Sequence, residues 1–195
     1  MERIQLEIKR QPMHILLGLL LVVLIYYDLL KIQMIVAGLL VAVLFSLFVK
    51  RTKPKEIYRI LSIIERKNDL KNLPGKGLIA YLIGALIAII FFEKDIAMAS
   101  IIILALGDSF SRLIGPFGKI KHPFNDSRFL EGCIAGVIAA SLGAMLFVKP
   151  YEAIAASAVA MLIEGVDLKM FRFKIDDNIT IPLIAGIVIS LIRIL

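Results

Sequence analysis

Apolar residues run along this chain in seven blocks, near 13–30, 32–49, 77–92, 95–115, 130–148, 150–168 and 179–195, separated by short charged stretches. A helix needs about 20 residues to cross a bilayer, within a range of roughly 17 to 25. The blocks therefore predict seven spanning helices, the third of them short. One stretch between them has a different period. In PKEIYRILSIIERK, residues 54–67, Ile57, Ile60, Leu61 and Ile64 recur at i, i+3, i+4 and i+7, while Lys55, Glu56, Arg59 and Arg66 fall elsewhere. That pattern predicts a short amphipathic helix, lying in the membrane interface or packed as a lid on neighbouring loops. The expected fold is all-α: one polytopic membrane helix bundle over residues 1–195, with about seven transmembrane helices, one short interfacial helix, and loops at 50–76, 107–129 and 169–178.

Composition points the same way. Hydrophobic residues make up 59% of the 195 and the mean hydropathy is +0.89, against about 45 to 50% apolar residues in soluble domains. The net charge is +7, but the bases sit between apolar blocks rather than on one globular face. Anionic headgroups and anionic substrates are the expected partners, not nucleic acid. A single cysteine, Cys133, excludes an intrachain disulfide. His14 and His122 have no second metal ligand at helical or short-loop spacing and read as interfacial polar residues. The first block follows Arg3, Lys9 and Arg10, yet it is long and lacks a small-residue cleavage site, so it reads as an uncleaved anchor.

The bases also predict orientation. With seven spans, the N-terminus and the 2–3, 4–5 and 6–7 loops share a side and hold 3, 9, 4 and 3 bases, 19 of the 23. Lys31, Lys94, Lys149 and Arg193 remain for the other. The base-rich side is the cytoplasmic one, here of a prokaryotic plasma membrane.

The chemistry gathers on that side. At the end of the fourth block, GDSFSRLIGPFGK (107–119) sets Asp108, Ser111, Arg112 and Gly115 at i, i+3, i+4 and i+7, one polar stripe on an apolar rod. A charged side chain at membrane depth costs roughly 2.5 to 3.5 kcal/mol on insertion scales and marks a functional site by default. An Asp108–Arg112 pair that merely locks two helices is the bland alternative. Gly115, Gly118, Lys119 and Lys121 follow in a glycine-punctuated basic loop, suited to phosphate. Arg128 and Glu131 open the fifth block, Glu164 and Asp167 close the sixth, and Asp176, Asp177 and Asn178 precede the seventh. Acids among bases suit a metal-bridged polyphosphate, while Asn178 can also cap the last helix. Gly132 and Gly136 form GxxxG, for packing within the bundle or against a second copy. No GxxxxGK[ST] or strand-borne GxGxxG occurs, so nucleotide chemistry requires a membrane-specific fold.

GDSFSRLIGPFGKIKHPFNDSRFLEG (107–132) resembles the signature of the dolichol kinase, phytol kinase and CTP-dependent diacylglycerol kinase family. DDNITIPL (176–183), with Thr180, is similar to that family's DN-x-T-x-P block, Glu164 stands where an acid precedes it, and EIKRQPMHILLG, with His14, resembles its opening. Where the family usually has lysine and a hydroxyl residue before EG, this chain reads Arg128-Phe129-Leu130. The resemblance implies transfer of the γ-phosphate of CTP to a membrane lipid alcohol of the dolichol or polyprenol type, with Mg²⁺ or another divalent cation. It implies Asp108 and Asp177 as metal or hydroxyl ligands, and Glu131 as an orienting group or further metal ligand. Lys119, Lys121, Arg112, Arg128 and Asn178 would meet phosphates, with Gly107, Gly115 and Gly118 permitting close backbone approach. A CTP-dependent lipid-phosphate cytidylyltransferase and a small-solute carrier are the other readings.

Overall fold

The computed structural model describes residues 2–123, 125–166, 169–170 and 173–195, so Asp167 lies outside the described residues. Each of the seven apolar blocks lies on a helix. These are α1 (Glu2–Tyr26), α2 (Ile32–Thr52), α5 (Lys76–Phe91), a composite helix from Lys94 to Phe117, α8 (Leu130–Ala144), α9 (Pro150–Glu164) and α10 (Asp177–Ile194). Among the described residues four are long and apolar enough to cross a membrane: Ile4–Tyr26, Ile32–Thr52, Lys94–Phe117 and Asp177–Ile194. Three fall short of that length, α5 at 16 residues and α8 and α9 at 15 each. By length and composition the structure therefore shows four candidate spans and does not confirm the count of seven. The first helix also begins earlier than its apolar block, because the charged run from Glu2 to Gln11 continues the same helix.

The amphipathic segment is a helix, but a shorter one than 54–67. Lys53 adopts a left-handed φ of 45° and Pro54 follows it, ending α2; α3 then runs Lys55–Ile64 and breaks at Glu65 before α4 (Lys67–Asn72). Ile57, Leu61 and Ile64 turn inward on α3, whereas Ile60 is 61% exposed. Gly75, at φ 79°, makes the turn into α5, a backbone conformation costly for a residue with a Cβ.

The composite helix is the axis of the bundle. Its apolar window is 78% buried, against 17% for α2 and 33% for α10. It comprises α6 (Lys94–Ile102), a π-helical turn (Ile103–Asp108), α7 (Ser109–Ile114) and a 3₁₀ turn (Gly115–Phe117). Around it pack α1, α5, α8, α9 and α10, with α2 outside against α5. The contacts are made by small side chains: Ala85, Ala99, Ala105, Ala140, Ala156 and Ala185 have no exposed surface. Small residues let helix backbones approach where lipid supplies no hydrophobic drive. The GxxxG residues belong to this packing. A Cβ on Gly132 would stand 2.7 Å from Gly115 Cα, and one on Gly136 would stand 2.8 Å from the Gly107 carbonyl oxygen.

The fold is not purely helical. Two small antiparallel hairpins occupy the loops, β1 (Lys121–His122) with β2 (Asn125–Phe129) and β3 (Lys169–Met170) with β4 (Phe173–Lys174). At the far end of the bundle Arg193 pairs with Asp95 at 2.7 Å and Glu152 at 3.2 Å, and Lys94 pairs with Asp28 at 2.6 Å. These contacts tie α6, α9 and α10 together on the side away from the basic loops.

Candidate functional site

The π turn brings the chain to the site. π turns are rare and often sit at functional positions; this one ends on Asp108, which is 2% exposed. One turn further, Arg112 Nε donates to Asp108 Oδ1 at 2.6 Å and its Nη2 donates to Asp177 Oδ2 at 3.0 Å. Arg128, presented by β2, donates through Nη2 to the same Asp177 oxygen at 3.0 Å and through Nη1 to Glu164. Three carboxylates from three separate helices thus surround two guanidinium groups. Asp108, Glu164 and Asp177 each offer an oxygen within 4.8 Å of the others.

Such a cluster needs compensation. Two unit negative charges at 4.8 Å repel by about 3.5 kcal/mol at an effective dielectric near 20. Arg112 and Arg128 supply most of the compensation, and one negative charge is left over. An oxygen-only donor set carrying surplus negative charge suits a hard divalent cation such as Mg²⁺. The donor chemistry of Asp108, Glu164 and Asp177 therefore fits the ion that the resemblance implies.

Asp177, Arg112 and Arg128 of the cluster line a cavity of about 480 Å³, with Asp108 and Glu164 buried behind them, and that volume is within the usual range for small-molecule sites. Arg10 of α1, Arg66, Lys76, Arg112 and Arg128 line it, so bases from the N-terminus and from the 2–3 and 4–5 loops meet at one end of the bundle. Gly115, Asp176, Asp177 and Asn178 also face it. Asp176 caps α10, accepting from the Asn178 backbone N–H at 3.2 Å, and Lys76 pairs with it at 3.4 Å. The cap is thus Asp176, two residues earlier than expected. Asn178 instead donates its side-chain amide to the Gly77 carbonyl at 3.3 Å, and its own carbonyl abuts Gly84. Pro182 lacks the N–H that would otherwise bond that carbonyl along the helix. Thr180 is buried, its hydroxyl 3.5 Å from the Asp177 carbonyl.

Other expected residues sit apart from the cluster. The Glu131 carboxylate accepts from the backbone N–H groups of Lys119 at 2.7 Å and Ile120 at 3.1 Å, closing the glycine loop on itself. A Cβ on Gly118 would collide with that carboxylate. Glu131 therefore holds the loop and is not beside Asp108 and Asp177. Lys119 and Lys121 have exposed side chains outside the cavity lining. Gly107 faces Met161 of α9 and Ala140 of α8. His14 Nε2 lies 3.7 Å from Asp108 Oδ2, and its ring meets Tyr81 edge-on at 4.6 Å.

The structure adds residues that the sequence reading passed over. Arg66 donates to Glu7 at 2.8 Å, Gln11 donates to Glu7 at 2.6 Å, and Ser109 donates to Gln11 at 3.0 Å. This buried chain ties the start of α4 through α1 to the site helix. Its only sequence signal was a polar pair at i and i+4, Glu7 and Gln11, ahead of the first apolar block. His122 is buried with its ring over Gly165, and burial with nearby Arg128 lowers its pKa. Burial raises the pKa of Glu65, which accepts from the Gly75 N–H at 2.6 Å.

Comparison with known proteins gives distant matches. An uncharacterized protein of Methanocaldococcus jannaschii is 29% identical over 94% of this chain and 93% of its own length. A protein named CTP-dependent diacylglycerol kinase 1 from Eremothecium gossypii is 26% identical over 66% of this chain and 47% of its own. The Saccharomyces cerevisiae protein of the same name is 26% identical over 66% of this chain and 52% of its own. The chain spans about half the length of those two kinases. No family model and no solved structure matches it.

Proposed function

We propose that this protein is an integral-membrane lipid kinase that transfers the γ-phosphate of CTP to the hydroxyl of an isoprenoid alcohol of the dolichol or polyprenol type, the basic end of the bundle facing the cytoplasm. The observation that carries the reading is the convergence of Asp108, Glu164 and Asp177 with Arg112 and Arg128, of which Asp177 and the two arginines line a cavity of about 480 Å³. Distant similarity to proteins named as CTP-dependent kinases of a lipid supports the donor and the reaction class.

In this reading Asp108, Glu164 and Asp177 hold the divalent cation, which supplies neutralisation of phosphate charge when bound. Arg112 and Arg128, already forked onto carboxylates, are placed to turn one N–H edge to phosphate oxygens. Arg10, Arg66 and Lys76 add positive charge around the rest of the triphosphate. The acceptor oxygen forms a bond to the γ-phosphorus as the bridge to the β-phosphate breaks. CDP leaves, and the hydroxyl proton passes to a carboxylate of the cluster, Asp108 being the one next to His14. Positioning and charge neutralisation do the catalysis.

The test is direct. Purified protein in liposomes receives γ-labelled CTP or ATP, Mg²⁺, and a panel of prenols, polyprenols and diacylglycerol. Labelled prenyl phosphate made from CTP is the expected product. Label appearing in diacylglycerol alone would reassign the acceptor, and no labelled lipid with any pairing would overturn the kinase reading.

A further inference from the structure

A second cavity, of about 270 Å³, lies beside the first between α1, α5 and the corner joining α3 to α4. The two share Arg10, Arg66, Asp69 and Gly77 in their walls. The far end of the second cavity is lined by Met13, Leu17 and Leu78. Met13 and Leu78 are 58% and 45% exposed on the outer surface of the bundle, so this end opens sideways, where acyl chains surround the helices.

Its floor is polar and unsatisfied. Tyr81 is 1% exposed, yet among the described residues its hydroxyl has no hydrogen-bond partner, and His14 Nε2 and Arg10 Nη1 are also buried without one. Buried polar groups in native proteins are nearly always paired. Three unpaired ones on residues that line one cavity point to a ligand that brings donors and acceptors of its own. Arg10 ends the charged part of α1, and His14 lies one turn beyond it, about 6 Å further along the helix.

We propose that this cavity is the acceptor site: a single-chain isoprenoid alcohol enters between α1 and α5, its hydroxyl meets Tyr81 and His14, and its chain lies along Met13, Leu17 and Leu78. The inference rests on the lipid-kinase reading. It follows from the cavity's position, because His14 stands 3.7 Å from Asp108. A hydroxyl held there lies beside the carboxylate cluster, in a cavity adjoining the one for the nucleotide. It follows also from the lining. Met13, Leu17, Ile64 and Leu78 make that wall thioether and aliphatic, which suits a hydrocarbon chain.

The experiment uses the whole protein in liposomes with a photoreactive geranylgeraniol carrying a diazirine on its chain. Crosslinks are expected on Met13, Leu17 or Leu78, competed by plain geranylgeraniol and not by diacylglycerol. Leu78→Trp, which fills the mouth, should raise the KM for the alcohol by about tenfold and leave the KM for CTP within about twofold. Tyr81→Phe should raise the alcohol KM several-fold without lowering the melting temperature, since the lost hydroxyl had no partner. Crosslinks confined to other helices, together with unchanged alcohol KM in both variants, would overturn the acceptor site while leaving kinase activity standing. Competition by diacylglycerol would overturn the single-chain assignment. If no lipid is phosphorylated the kinase reading fails, and the crosslinking, which needs no turnover, still decides whether the cavity takes the alcohol.

Discussion

Replacing Asp177 by asparagine separates a structural role of the carboxylate cluster from a catalytic one. Asp177 Oδ2 accepts from both Arg112 and Arg128 at 3.0 Å, and its oxygen lies within 4.8 Å of those of Asp108 and Glu164. At an effective dielectric near 20, each guanidinium contact is worth about 5.5 kcal/mol and each neighbouring carboxylate costs about 3.5 kcal/mol. Two of each leave about 4 kcal/mol in favour of the carboxylate. Against that, the amide escapes the carboxylate's desolvation cost and keeps an oxygen that can accept one of the two bonds. Arg112 retains Asp108 and Arg128 retains Glu164. Folded stability should therefore change by no more than about 2 kcal/mol. The cluster, however, loses its surplus negative charge, so phosphoryl transfer should fall by about 100-fold or more, the loss of one preorganised electrostatic contact. The Mg²⁺ concentration for half-maximal rate should rise. Rates come from labelled CTP and a prenol in liposomes, and stability from thermal unfolding followed by a thiol-reactive dye, for which buried Cys133 is the native reporter. Asp108→Asn should behave alike, and the double variant should be little worse than either, because the two act as one unit. A well-folded Asp177→Asn protein turning over within about threefold of the parent, with unchanged Mg²⁺ dependence, would refute the reasoning.

The remaining predictions address the supports of the site. Arg128→Ala leaves the Glu164 side chain, 2% exposed, as an unpaired buried charge; it should cost about 3 to 5 kcal/mol in the same dye assay. Adding Glu164→Gln should recover much of that stability, and no recovery would show that Arg128 acts by some other contact. Gly132→Ala puts a methyl 2.7 Å from Gly115 Cα and 2.7 Å from the Ser111 carbonyl oxygen. Backbone cannot yield as a side chain does, so a loss of about 1 to 3 kcal/mol is expected, with activity falling as α7 shifts; a neutral result would mean the two helices can part. In a Cys133→Ser background, a cysteine at Lys119 should react with an impermeant reagent only from the cytoplasmic face and one at Leu195 only from the outside. Labelling of both from one face would overturn the orientation.

What could be read along the chain was whatever depends on near neighbours. Apolar blocks announced helices because a backbone in lipid must bond to itself, and each block lies on one. The stripe of Asp108, Ser111 and Arg112 was visible because residues three and four apart share a helix face whatever lies beyond it. The amphipathic period at 57–64 announced α3 for the same reason. Span length was less legible: α8 and α9 are shorter than their apolar blocks, because Met145 and Gly165 end the helices while the chain remains apolar. Which charges meet was not legible at all. Glu131 and Glu164 are both acids beside basic loops, yet one closes a loop on its own backbone and the other, 36 residues from Arg128, completes the cluster. Asp177 joins Asp108 across 69 positions only because α10 packs beside the central helix. That approach depends on alanines and glycines whose small size carries no sign of its partner. Periodicity is a property of one segment and is written in its own residues; the meeting of Asp108, Glu164 and Asp177 is a property of how several segments pack, and only the folded bundle decides it.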